Sequence, residues 1–201
     1  MDDRLNLRES VTQYFADPAL MAGVDALLKT PTKLPSDLSE NELAPYIEAL
    51  WSARQIQFEY ALDLGALWAA VWGDVILNSR LTIIAPGEAS ARQDSNLHPE
   101  FLLANGDYVR IARTDRGDEI WLWVTLTAQG ASCGCDLGDR GRLPGLNSVD
   151  GFDNSDAVPI TTDGRINLAP LRKISRQLSN ALANNSRHRS ESRRKPTRTR
   201  N

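Results

Sequence analysis

Sulfur and imidazole are scarce in this sequence: 201 residues hold two cysteines, two methionines and two histidines. Cys133 and Cys135 stand one residue apart, whereas a disulfide-stapled secreted domain spreads more cysteines along the chain to close long loops. A structural zinc site wants four ligands in compact pairs, with paired cysteines commonly two to four residues apart. Here the cysteine spacing is one, His98 is distant and His188 lies near the end. The two thiols are therefore expected as buried, inert groups at a strand end. A Cys133 nucleophile with His98 as base and Asp136 or Asp139 as orienter is the best enzymatic arrangement on offer, and no local pattern marks any of them as activated. The chain also lacks a Gly-x-Ser-x-Gly elbow, a Gly-x-x-x-x-Gly-Lys loop and a Gly-x-Gly-x-x-Gly turn. The acidic loop with Asp136, Asp139, Asp150, Asp153 and Asp156 fails the EF-hand pattern, because Phe152 and Ser155 occupy its third and sixth positions. Neither cofactor nor metal is expected.

Long hydrophobic runs are missing too. The most apolar stretch, residues 61–77, contains Asp63 and Asp74, is short for a membrane span, and carboxylates at mid-bilayer are costly. It reads as a buried helix. The polar opening Met1-Asp2-Asp3-Arg4 predicts no signal peptide. The expectation is a cytoplasmic protein without membrane contact.

What is present suffices for a folded body: 41% hydrophobic and 24% charged residues, with five Trp, match globular chains. Charge is uneven. Residues 186–201 carry seven basic side chains against Glu191, a net of +6, which leaves the rest of the chain at −9.

Residues 1–78 read as a helical layer. Leu5, Leu7, Val11, Tyr14 and Phe15 recur at helical spacing, and Asp17-Pro18 predicts the start of a second helix over 19–28. Ser39 and Glu42 have capping-box spacing. Beyond them Leu43, Ile47, Leu50, Ala53, Ile56, Tyr60, Leu64, Leu67 and Val71 step by three or four, predicting one amphipathic helix over 40–72 with a bend at Gly65 or a stop at Gly73. Trp51, Trp68 and Trp72 fall at helical spacing and are expected in the core, or else on a partner-facing surface.

Residues 79–185 change texture. A short strand is predicted at 81–84 and a hairpin within 100–127, its arms at 108–113 and 120–126 and its turn at Asp115-Arg116-Gly117-Asp118. Further strands are expected at 131–135 and 157–161, and a last helix over 168–183, with Asn167 before it. Asn105-Gly106-Asp107-Tyr108-Val109-Arg110-Ile111, followed by Glu119-Ile120-Trp121-Leu122-Trp123-Val124 and a Gly-rich return, resembles an SH3-like small barrel over residues 100–162. That resemblance implies a fold that usually binds peptides or nucleic acids, with no chemistry attached.

The fold class expected is α+β: an N-terminal helical layer, a small antiparallel sheet or SH3-like barrel, a C-terminal helix, and a disordered basic tail over 186–201. Trp121 and Trp123 point to one face of their strand. Covered by a helix they are core; open, they form a platform for a peptide or a stacked base. Arg187, Arg189, Arg193, Arg194, Lys195, Arg198 and Arg200 supply a second candidate surface, one that attracts phosphates or an acidic partner. The reading favoured is a non-enzymatic binding or accessory protein acting through a protein partner. The runner-up is nucleic-acid association through the tail, and a hydrolase or metal-dependent enzyme built on Cys133 or the Asp-rich loop comes third.

Overall fold

The computed structural model describes residues 3–84, 99–115, 117–137 and 156–193. Helices α1 (Glu9–Ala16) and α2 (Pro18–Lys29) meet at Asp17, whose side chain accepts from the amides of Ala19 at 2.8 Å and Leu20 at 3.2 Å. That is the cap expected of Asp before Pro, since it satisfies two amides the first helical turn leaves orphaned. Tyr14, Val24, Ala53 and Ile56 form a small satellite core that joins α1 and α2 to the next helix.

Helix α3 (Glu40–Asn78) runs through both Gly65 and Gly73, so the stop expected at Gly73 does not occur. At 1.5 Å per residue it is about 58 Å long. Burial of Leu64, Leu67, Val71, Trp72 and Val75 outweighs the roughly 1 kcal/mol that each helical glycine costs. At its start the Ser39 amide donates to Glu42 at 3.1 Å, the predicted capping box. By length and composition α3 is apolar enough to cross a membrane; in this fold one of its sides is the main core.

Strands β2 (Thr82–Ile83), β3 (Asp107–Arg113), β4 (Glu119–Thr127) and β5 (Gly130–Leu137) form an antiparallel sheet in that order. Among the described residues it is an open meander with β2 and β5 as edges, so the arrangement seen is the sheet and not a closed barrel. The β3–β4 turn lies where the sequence places it: the Thr114 amide donates to Asp118 at 3.0 Å and Gly117 takes φ +86°. The predicted hairpin is shorter than 100–127, because Pro99–Asn105 forms helix α4. Of the strand expected at 157–161, one bridge survives, Val158 to Ala131. Gly130 allows it: a Cβ there would lie 2.2 Å from the Val158 oxygen, at φ +132°.

Strand β4 alternates strictly. Ile120, Leu122, Val124 and Leu126 are buried beneath α3 while the residues between them are half-buried. Three side chains of α3 fasten the layers: Tyr60 donates to the Leu126 carbonyl at 2.6 Å, Trp68 to Leu122 at 2.8 Å and Trp72 to Trp123 at 3.1 Å. For Tyr60 and Trp68 the spacings match, since eight helical residues rise about 12 Å and four strand residues about 13 Å.

A second, two-stranded sheet is not foreshadowed by local sequence. β1 (Arg4–Asn6) pairs with β6 (Arg165–Asn167), Leu5 opposite Ile166. Leu5 was expected on the first helix; the pairing with Ile166 claims it instead. Helix α5 (Ala169–Arg193) follows β6, with Leu171, Ile174 and Leu178 in the core. It continues beyond the apolar stripe that predicts it, because no Gly or Pro interrupts residues 184–193. The main core mixes residues of 1–78 with residues of 79–185.

Candidate interaction surface

The sequence-predicted surfaces separate in space. Trp121 and Trp123 sit on the face of β4 turned away from α3, beside Ile111 and Val109 of β3 by register. Both are half-buried, and the Trp121 indole nitrogen is buried without a hydrogen-bond partner. Among the described residues α3 covers the opposite face of the strand. Arg187, Arg189 and Arg193 lie on the backbone of α5; Arg194, Lys195, Arg198 and Arg200 lie outside the described residues.

Cys133 and Cys135 are buried with their side chains turned inward, and the Cys133 sulfur lies 3.6 Å from the Leu171 carbonyl oxygen. Cys133 is fully buried among Val124 and its core neighbours, a setting that gives a thiol no access to substrate. His98, Asp139, Asp150 and Asp153 lie outside the described residues, and among the described residues no group of three His, Cys, Asp or Glu side chains is placed to hold a metal ion.

The most exposed apolar surface lies on α3 itself. Leu77, 80% exposed, stands apart near the end of the helix, whereas Trp51 is 72% exposed, Phe58 59%, Leu62 57% and Ile47 42%. At 100° per residue these four fall within about 60° of one another, opposite the core line of Ala53, Ile56, Tyr60, Leu64, Leu67 and Val71. Ile47 and Trp51 thus leave the core assigned to them from spacing, while Trp68 and Trp72 keep it. Two apolar stripes share one helix, and steps of three or four residues alone do not distinguish them.

Between Glu59 and Asp74 the exposed positions of α3 carry no charge: Leu62, Ala66 and Ala69 are the solvent-facing residues there. Glu59 borders the stripe. Its carboxylate accepts from Ser10 and from Gln55, the latter at 2.9 Å, and these bonds hold it below the usual carboxylate range. On the buried flank Asp63, 3% exposed, accepts from the Arg8 amide at 2.8 Å and from the Arg8 guanidinium. Burial pushes the Asp63 carboxyl up, against the pull of Arg8. The contact pins the start of α1 to the middle of α3.

No protein-family model, curated protein or solved structure matches this chain.

Proposed function

We propose that the protein is a non-enzymatic binding or accessory protein that acts through protein–protein contacts, with the exposed face of α3 as its docking surface. The observation that carries this reading is the line of Ile47, Trp51, Phe58 and Leu62 standing in solvent on the helix whose other side is the main core. Trp and Phe dominate interface energetics when a partner desolvates them, and contiguous apolar patches of several hundred Å² are rare on monomers unless they bind something.

A photocrosslinking residue placed at position 51 or 58 in cells tests it. Protein adducts are expected from both positions and not from Lys29, a control site that is 72% exposed. Adducts no more abundant than at Lys29 overturn the reading.

A second reading, nucleic-acid association, draws on the continuation of α5 to Arg193, which puts three tail arginines on the same helix as the exposed Lys173 and Arg176. Binding of this kind is sequence-independent and weakens with salt at roughly −0.9 in log K per phosphate contact. Retention of a duplex after deletion of residues 186–201 overturns it.

A further inference from the structure

Resting on the docking surface just proposed, we infer that its occupant is a second copy of this chain, packed antiparallel along α3 about a two-fold axis at Phe58. Three observations lead there. The first is shape. On one side of Phe58 the stripe carries Ile47 and Trp51; on the other, beyond Leu62, it carries the small residues Gly65, Ala66 and Ala69. Residue i of one copy then lies level with residue 116 minus i of the other. Trp51 meets Gly65, seven residues to either side of Phe58, and Ile47 meets Ala69, eleven to either side. Both large-to-small matches occur twice in one symmetric contact, which is what an isologous interface requires.

The second is Gly65 itself. Glycine is the poorest helix former after proline, so in mid-helix it calls for a reason. Among the described residues its packing supplies none: a Cβ added at Gly65 meets nothing within 4 Å, as is also true of Gly73. Unlike Gly73, Gly65 lies on the exposed line of Trp51 and Phe58, and Trp51 of a second copy is the group whose position along the helix fits it.

The third is area. Ile47 to Ala69 spans about 33 Å, and a helix with side chains is about 10–12 Å across. The stripe therefore offers roughly 400 Å² per copy, or about 800 Å² in total, below the ~1,200 Å² of stable complexes. This size suits a weak, reversible dimer.

Sedimentation of the full chain from about 1 to 500 μM is expected to show a monomer–dimer equilibrium. Gly65→Leu should weaken it at least tenfold while leaving the monomer folded, since a Cβ at that position meets nothing within 4 Å; Trp51→Ala should weaken it comparably. Under mild oxidation Phe58→Cys should form a disulfide dimer. Arg54→Cys and Leu62→Cys, level with each other across the axis, should cross-link when mixed in preference to either alone. A monomer throughout the range, tighter association of Gly65→Leu, or preferential self-linking of Leu62→Cys overturns the antiparallel dimer. If the chain is monomeric but the in-cell adducts from positions 51 and 58 are to another protein, the dimer falls and the docking surface stands. If the monomer instead floats with phosphatidylcholine vesicles and gives no protein adducts, both fall.

Discussion

Two apolar stripes run along α3, one against the sheet and one against solvent. The inner stripe is tied down by polar tips as well as by area. Tyr60, Trp68 and Trp72 each end in a donor that meets a carbonyl of β4, so their burial leaves no donor unpaired. The outer stripe, Ile47, Trp51, Phe58 and Leu62, is exposed apolar surface with no layer above it among the described residues. Hydrophobicity does not decide which side of a long helix becomes core. The side that finds a sheet with matching register does.

The largest effect that separates the stripes is truncation. Leu67→Ala, on the inner side, should cost about 2–5 kcal/mol, while Leu62→Ala should cost under about 0.5 kcal/mol, as surface changes do. Urea melts of the two variants measure this, and equal losses would erase the distinction. Next comes the polar fastening: Trp68→Phe keeps most of the ring and leaves the Leu122 carbonyl without the indole donor, for an expected loss of about 1 kcal/mol.

The flank between the stripes is open to a pH test. The carboxyl of Asp63 is raised in the folded protein, so its contribution to stability is fully present below the unfolded value, about 3.9, and is lost as pH rises through the folded one. The stability difference between the parent and Asp63→Asn should therefore shift against the parent as pH rises from about 4 toward neutrality. A shift in the parent's favour in melts across that range would mean that the ion pair with Arg8 outweighs burial. The smallest effect is a gain: Gly65→Ala should raise the stability of the monomer by about 0.5–1 kcal/mol, because the site has room and the helix prefers alanine. A loss would show that the glycine serves the monomer after all.

How much of this was legible varies by element. The hairpin, the capping box at Ser39 and the Asp17 cap are local devices, and each stands where its residues predict. α4 falls inside the span 100–127 given to the hairpin but ahead of its first arm, and seven residues are too few to establish a helical period. The pairing of β1 with β6 left no local trace: three residues near the start find three others more than 150 positions later. Of the site, Trp51 was seen and placed on the wrong side, since its spacing from Trp68 and Trp72 satisfies one helical line while its burial obeys another. The exposed face belongs to tertiary structure, to where the sheet and α5 are absent. A helical wheel drawn without those neighbours has no means of showing it.

The clasp between β1 and β6 also imposes an order on synthesis. Leu5 lies opposite Ile166, and the Leu7 amide donates to Gly164 at 2.8 Å. At about 5–20 residues per second, a ribosome needs roughly 8–32 s after making Leu5 to make its partner. Through that interval the Arg8–Asp63 contact can already hold α1 on α3, while Arg4–Asn6 waits as a strand without a sheet. The nascent chain therefore carries an open seam until residue 167 emerges, and a chain stalled before that point keeps it.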